Sequence, residues 1–224
     1  MDHALAVIFD MDGVLVDSYQ AHLKSWQQMA AEAGLAMSEE QFAHSFGRTS
    51  REIIAGLWGE GRLGDEEIAR LDERKEQFFR EIIAANFLPM PGAMELLVAL
   101  YREGFALAVG SSGPPENVEL VLARLQTGSL FEAVVTGRDI SRGKPDPQVF
   151  LKAAARLRIP PERCAVVEDA PPGIEAAKAA EMTAIGLAST GRTRKELAAA
   201  DMVVDSLAKL SPAIIEELIL RKLE

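Results

Sequence analysis

Apolar residues run unbroken from Leu5 to Phe9, and the acids Asp10 and Asp12 with Gly13 follow at once. A short run of this kind, rich in β-branched residues and ending in turn formers, predicts a buried strand entering a loop. From about Tyr19 the period changes. Leu23, Trp26, Gln27, Ala30 and Ala33 recur at helical spacing up to Gly34. Ser38-Glu39-Glu40-Gln41 predicts a helix start, with Ser38 as cap and Gln41 at the third helical position. Phe42 and Phe46 then share a face, Gly47 to Ser50 interrupts, and Arg51 to Trp58 predicts a short helix. After a loop with three glycines, Gly59 to Gly64, a long charged helix is expected over Asp65 to Ala84. Its spaced positions are Ile68, Leu71, Lys75, Phe78, Phe79 and Ile82.

Between Gln20 and about Phe87 every pattern is helical, so this stretch has nothing to add to a sheet. Pro89, Pro91 and Gly92 punctuate its end. Helices are then expected over Ala93–Arg102, Glu116–Leu125, Asp146–Leu157, Gly173–Ala180, Glu196–Ala200 and Leu210–Leu220. They alternate with strands at Phe105–Val109, Val134–Val135, Cys164–Val167, Thr183–Leu187 and Met202–Val204. Strands alternating with helices imply an α/β class with a parallel, Rossmann-like sheet. The expected organisation is an α/β core from residues 1–16 and 89–224, with a helical domain over 17–88 inserted after the first strand.

At 224 residues and 48% hydrophobic content the chain can bury a sizeable core. Its formal net charge of -10, without a Lys/Arg block, argues against a nucleic-acid partner. It leaves room for a small anionic substrate in a pocket whose local field opposes the net charge. The single cysteine, Cys164, lies in an apolar strand and reads as packing, since no zinc-ligand spacing surrounds it. No segment resembles a signal peptide or a membrane span, so a cytoplasmic protein is expected, and a monomer, since both layers of the core and the helical domain can close without a partner.

Four strand ends carry residues that a core would not require. They are Asp10 and Asp12; Ser111 and Ser112; Lys144, after the loop 137–143; and Glu168 and Asp169. Read singly, each is also what a turn or a surface contains. In a parallel sheet all four fall at one edge, where ligands bind. Carboxylates at Asp10, Asp169 and Glu168 make an oxygen-ligand set suited to Mg²⁺. Ser111 offers a hydroxyl and a loop N–H to phosphate oxygens, and Lys144 offers a positive charge. One carboxylate can attack phosphorus while a second moves the proton.

These motifs are Asp10-Met11-Asp12-Gly13, Gly110-Ser111-Ser112, Gly143-Lys144-Pro145-Asp146 and Glu168-Asp169-Ala170-Pro171-Pro172-Gly173. In this order they resemble the haloacid dehalogenase superfamily, in the branch with a helical cap after the first strand. That branch includes β-phosphoglucomutase, phosphoglycolate phosphatase and sugar-phosphate phosphatases. The resemblance implies Asp10 as a nucleophile that becomes an aspartyl-phosphate. It implies Asp12 as general acid/base, with its backbone carbonyl on Mg²⁺. Ser111 and Lys144 would hold the phosphoryl group, Asp169 would ligate the metal, and Glu168 would support the metal shell. An acid two residues after the nucleophile favours phosphoryl transfer, because true dehalogenases of the superfamily generally lack it.

In the cap the resemblance points to His22, where mutase-like members place a histidine that contacts the acid/base. Gly47-Arg48-Thr49-Ser50-Arg51 resembles the loop that reads the distal end of the substrate. Arg48 or Arg51 could therefore meet a second phosphate or a carboxylate. Lys75 falls where mutase-like members place a cap lysine, although Arg74-Lys75-Glu76 also reads as a solvated helix face. Trp26 is either cap core or substrate wall. Asn117 resembles an asparagine that some relatives use near the phosphate or sugar. Two local departures stand out: Glu181-Met182 replaces the usual Gly-Met, putting a side chain where a left-handed helix end is expected, and Gly113-Pro114-Pro115 follows the serine motif. The implied activity is a Mg²⁺-dependent phosphatase acting on a small phosphorylated metabolite, with a sugar phosphate expected. A β-phosphoglucomutase-like transfer is the alternative, and its loop arginine does not fall in register here.

Overall fold

The computed structural model describes residues 5–45, 50–59, 61–189 and 191–223. They fall into two compact units, Met1–Asp17 with Leu88–Glu224, and Ser18–Phe87.

The first unit begins with β1 (Ala6–Phe9), every residue of which is buried. After the helical unit it continues through α5 (Ala93–Arg102), β2 (Ala106–Gly110), α6 (Pro115–Leu125), β3 (Ala133–Val135), α7 (Gln148–Leu157), β4 (Cys164–Glu168), α8 (Pro171–Ala179), β5 (Thr183–Leu187), β6 (Met202–Val204) and α9 (Pro212–Leu223). The helical unit supplies α1 (Tyr19–Glu32), α2 (Glu39–Ser45), α3 (Ser50–Trp58) and α4 (Asp65–Ala85).

The six strands form one sheet in the order β3-β2-β1-β4-β5-β6, with every pairing parallel. Continuous apolar strands are what a parallel sheet covered on both faces requires. Alternate strand residues Ala6, Ile8, Ala106, Ala108, Cys164 and Val166 pack against Val149, Phe150 and Ala153 of α7 and Ile174 and Ala177 of α8. Cys164 is buried and unbridged, and burial pushes its thiol up to about 12, consistent with a packing role.

Strand order reverses at β1. Its register pairs Phe9 with Val109 on one side and with Val167 on the other. The residues beyond those ends, Asp10 and Glu168 among them, therefore emerge side by side at the switch point of the sheet, where open α/β folds bind ligands.

The helical unit closes around its own core of Leu23, Trp26, Met29, Ala30, Met37, Phe42, Ile53 and Ile54. The capping box appears as the sequence predicts. The Ser38 N–H donates to Gln41 Oε1 at 2.8 Å, and the Gln41 N–H donates to Ser38 Oγ at 3.1 Å. Phe46, the proposed partner of Phe42, lies outside the described residues.

One predicted element is absent. Residues 196–200 form a chain of tight turns instead of a helix. Their backbone bonds join residues three apart, as in Glu196 N–H to Thr193 O and Ala200 N–H to Leu197 O. The Asp201 carboxylate then ends the segment by accepting the Ala184 N–H at 2.8 Å. Among the described residues no helix is long and apolar enough to cross a membrane.

Candidate active site

Beyond β1 the chain turns back on itself. The Met11 carbonyl accepts the N–H groups of Val14, Leu15 and Val16, and the Gly13 N–H donates to Val16 O at 2.9 Å. Gly13 adopts φ +73°, and a Cβ there would stand 2.2 Å from Asp169 Oδ2. Only glycine lets Asp169 close onto this loop. Asp10 is 8% exposed, and its N–H continues the ladder to Val167 O at 3.0 Å.

Lys144 reaches the same place from the loop after β3. Its Nζ lies 2.6 Å from Asp10 Oδ1 and 2.7 Å from Glu168 Oε1. The other Glu168 oxygen accepts the Ala170 N–H at 2.7 Å, so this buried carboxylate is held from both sides. A Cβ on Gly173 would fall 1.8 Å from Glu168 Oε1, which explains a glycine in the first turn of α8.

Ligand oxygens of Asp10, Glu168 and Asp169 lie within 4.8 Å of one another, and all three residues are buried. Burial pushes the Asp10 carboxyl up to about 7, with Glu168 and Asp12 adding repulsion and Lys144 opposing it. Asp169 is raised well above the carboxylate range, by burial first and then by Glu168 and Asp10. Lys144 stays firmly charged: burial works against it, but Asp10 and Glu168 outweigh that cost. Even with Arg192 acting on Asp169, three buried acids around one ammonium are short of positive charge. The donor set is all oxygen, so a hard divalent cation fits both the charge and the chemistry. Asp12 is half-buried, and its side chain is not one of the three converging carboxylates. A metal role for it would fall to its backbone carbonyl, as the resemblance implies.

Ser111 is 2% exposed. Its N–H is taken by Val135 O at 3.0 Å, which removes one of the two donors expected of it. Parallel pairing of β2 with β3 imposes this, since the ladder extends one residue past the strand. Its hydroxyl oxygen accepts the Gly113 N–H at 3.0 Å, which leaves the hydroxyl proton to donate. Ser112 is exposed, and Asn117 is buried in the first turns of α6.

In the helical unit, Lys75 is 3% exposed, so the solvated-face reading fails. Its Nζ lies 2.7 Å from Glu76 Oε1 and 3.1 Å from His22 Nδ1. His22 stacks on Phe79 with ring centroids 4.2 Å apart. An ammonium can only donate, so Nδ1 accepts and the imidazole proton sits on Nε2. Trp26 belongs to the core of the unit and is not an open wall, because α1 turns this position inward with Leu23 and Met29. Arg51 is exposed and pairs with Asp65. Arg48 lies outside the described residues.

The sequence reading overlooked the end of β5. Ser189 Oγ donates to Gly13 O at 3.0 Å, and the largely buried Arg192 side chain opposes the rise of Asp169. The rule that polar residues at strand ends mark the site applies to this strand as well as to the other four.

A sequence model of the haloacid dehalogenase-like hydrolases matches residues 5–181. The chain is 31% identical over 219 residues to a β-phosphoglucomutase of Bacillus subtilis, covering 95% of this chain and 94% of that protein. It is 34% identical to hexitol phosphatase A of Escherichia coli, covering 91% of this chain and 92% of that protein. A crystal structure of β-phosphoglucomutase from Clostridium difficile superposes with TM-score 0.86 at 26% identity, covering 97% and 98% of the two chains. With its acids gathered at the switch point of a parallel sheet, the chain belongs to the haloacid dehalogenase-like hydrolases.

Proposed function

We propose that the protein is a Mg²⁺-dependent phosphatase of a small phosphorylated metabolite, a sugar phosphate, working through an aspartyl-phosphate on Asp10. The observation that carries this reading is the Lys144 ammonium shared between Asp10 and Glu168 at 2.6 and 2.7 Å, inside a cluster of buried acids. An Asp10 oxygen attacks phosphorus as the bond to the leaving oxygen breaks, and Asp12 gives that oxygen its proton. Asp12, now a carboxylate, takes a proton from water as the water oxygen attacks phosphorus. Phosphate leaves and Asp10 is restored. Lys144 opposes the rise of the Asp10 carboxyl and offsets charge on the transferring group, and the Ser111 hydroxyl donates to a phosphoryl oxygen. Mg²⁺ held by Asp10, Asp169 and the Asp12 carbonyl, with Glu168 in support, would supply the remaining positive charge for the phosphoryl oxygens.

Substrate choice is assigned to the helical domain, residues 17–88. Its candidates are His22, Lys75, Arg48 and Arg51, with Trp26 shaping their surroundings and Ser112 and Asn117 contributing from the α/β core. Phosphatases of phosphorylated polyols and carbohydrates among the relatives support this class. A mutase reading is favoured by one feature, the partly buried His22–Lys75 contact, together with the β-phosphoglucomutase relatives. A cytoplasmic monomer completes the proposal.

The test is a panel of phosphorylated metabolites with Mg²⁺, followed for released phosphate and for isomerised product, with and without a sugar bisphosphate primer. Phosphate release is expected. Isomer formation without net release would install the mutase reading. Asp10→Asn should abolish either outcome, and full activity in that variant would remove Asp10 as nucleophile.

A further inference from the structure

Helix α7 buries Val149, Phe150, Ala153 and Ala154, which leaves Gln148, Lys152 and Arg156, spaced by four, on a separate stripe. All three reach back onto the chain that leads to Lys144. Arg156 donates to the Val134 carbonyl and to the Asp139 carboxylate. Lys152 Nζ donates to Asp139 O at 2.6 Å. Gln148 Oε1 accepts the N–H of Ser141 at 2.6 Å and that of Arg142 at 3.2 Å. The contact made by Gln148 is the one next to the site, just before Gly143 and Lys144.

Its own position is secured from the same loop. The Gln148 N–H donates to Asp146 Oδ1 at 3.0 Å, and the other Asp146 oxygen lies 3.0 Å from Arg142 Nε. A lysine carries its charge on a flexible four-carbon stem, so the ammonium is placed only as well as the backbone beneath it. We propose that Gln148 is a positioning residue that pins the Ser141–Arg142 backbone and, through it, sets the Lys144 ammonium at the phosphoryl site. The inference rests on the proposed role of Lys144 and adds to it the helix that holds that lysine in place. Simple docking of α7 against the loop would instead affect stability alone.

The test uses Gln148→Leu, Gln148→Glu, Lys144→Ala and the Leu/Ala double variant in the full chain. Affinity for inorganic phosphate with Mg²⁺ is measured by calorimetry, and kcat and KM with p-nitrophenyl phosphate. Gln148→Leu removes the acceptor and is expected to lower kcat roughly tenfold, more than it raises KM, and to weaken phosphate binding. Gln148→Glu retains an acceptor for both N–H groups and should recover to within about twofold. In the Lys144→Ala background, Gln148→Leu should cost nothing further, because its effect passes through that lysine. Additive losses would overturn the proposal, as would a Leu variant that loses thermal stability but keeps kcat and phosphate affinity. A wild-type chain that binds phosphate but cleaves no phosphate ester would sink the phosphatase reading, and the cycle read on phosphate affinity would still judge Gln148. Failure of the wild type to bind phosphate at all would remove both.

Discussion

Gly173 shows how one hydrogen atom can be a structural requirement. Inside a helix, Gly→Ala ordinarily stabilises by about 0.5–1 kcal/mol. Here the new methyl would meet Glu168 Oε1 at 1.8 Å, on the carboxylate that binds Lys144 and the Ala170 N–H. The sign should reverse: we expect Gly173→Ala to destabilise by roughly 1–3 kcal/mol in urea unfolding. A stabilised variant would show that Glu168 can leave its place freely. Asp10 yields a second expectation at this scale. With its carboxyl raised to about 7, the folded metal-free chain keeps a proton that the unfolded chain gives up near pH 4. The stability this contributes is complete below that unfolded value and is lost as pH rises through about 7. The thermal midpoint of the metal-free protein should therefore fall between pH 5.5 and 8. Mg²⁺ should offset the fall, and Asp10→Asn should flatten it without erasing it, because Asp169 is raised in the same direction. An unchanged slope in that variant would place the titration elsewhere. The sequence named Asp10 and Glu168, but the oxygen that each presents to Lys144 follows from three separate strands meeting.

Among the elements, α4 differs most from its sequence reading. Arg74-Lys75-Glu76 reads as a charged stripe, yet helical phase turns Lys75 and Glu76 inward while Arg74 pairs with Glu32 outside. Charges brought into a helical core cost desolvation, and the pair offsets that cost only while both partners are present. Lys75→Met should accordingly destabilise by about 3 kcal/mol, and adding Glu76→Leu should recover most of the loss. Chemical denaturation of both variants checks this, and equal losses in the two would mean that the Lys75–Glu76 pair does not govern the cost. Local chemistry was more legible elsewhere. The Ser38/Gln41 box needs only residues three apart, and it forms as written. Glu181 was expected to occupy a left-handed helix end, and it does so at φ +62°. The segment expected as a helix over 196–200 is a run of turns that ends at Asp201, whose carboxylate accepts the distant Ala184 N–H and whose own N–H donates to Ala184 O.

For the molecule as a whole, a net charge of -10 is set against an anionic substrate. Screening weakens long-range repulsion more than contacts inside a buried site. With p-nitrophenyl phosphate, kcat/KM should rise up to about twofold between 20 and 200 mM NaCl at fixed Mg²⁺. A fall with salt would show that the positive field around Lys144 governs encounter. The sequence alone determined the class of fold, because apolar runs of strand length alternate with helical periods and each period is a local property. It also placed Asp10, Ser111, Lys144 and Asp169 at one edge of the sheet, since parallel strands bring their carboxyl ends to one edge whatever their order. The tertiary structure decided the order β3-β2-β1-β4-β5-β6, and with it which ends are neighbours. It took the Ser111 N–H for the ladder, buried Lys75, brought Ser189 to the Gly13 carbonyl and Arg192 to Asp169, and laid Gln148 across the loop before Lys144. Each of these joins residues far apart in the chain, and burial and hydrogen-bond partners of that kind depend on packing, which no local pattern of residues contains.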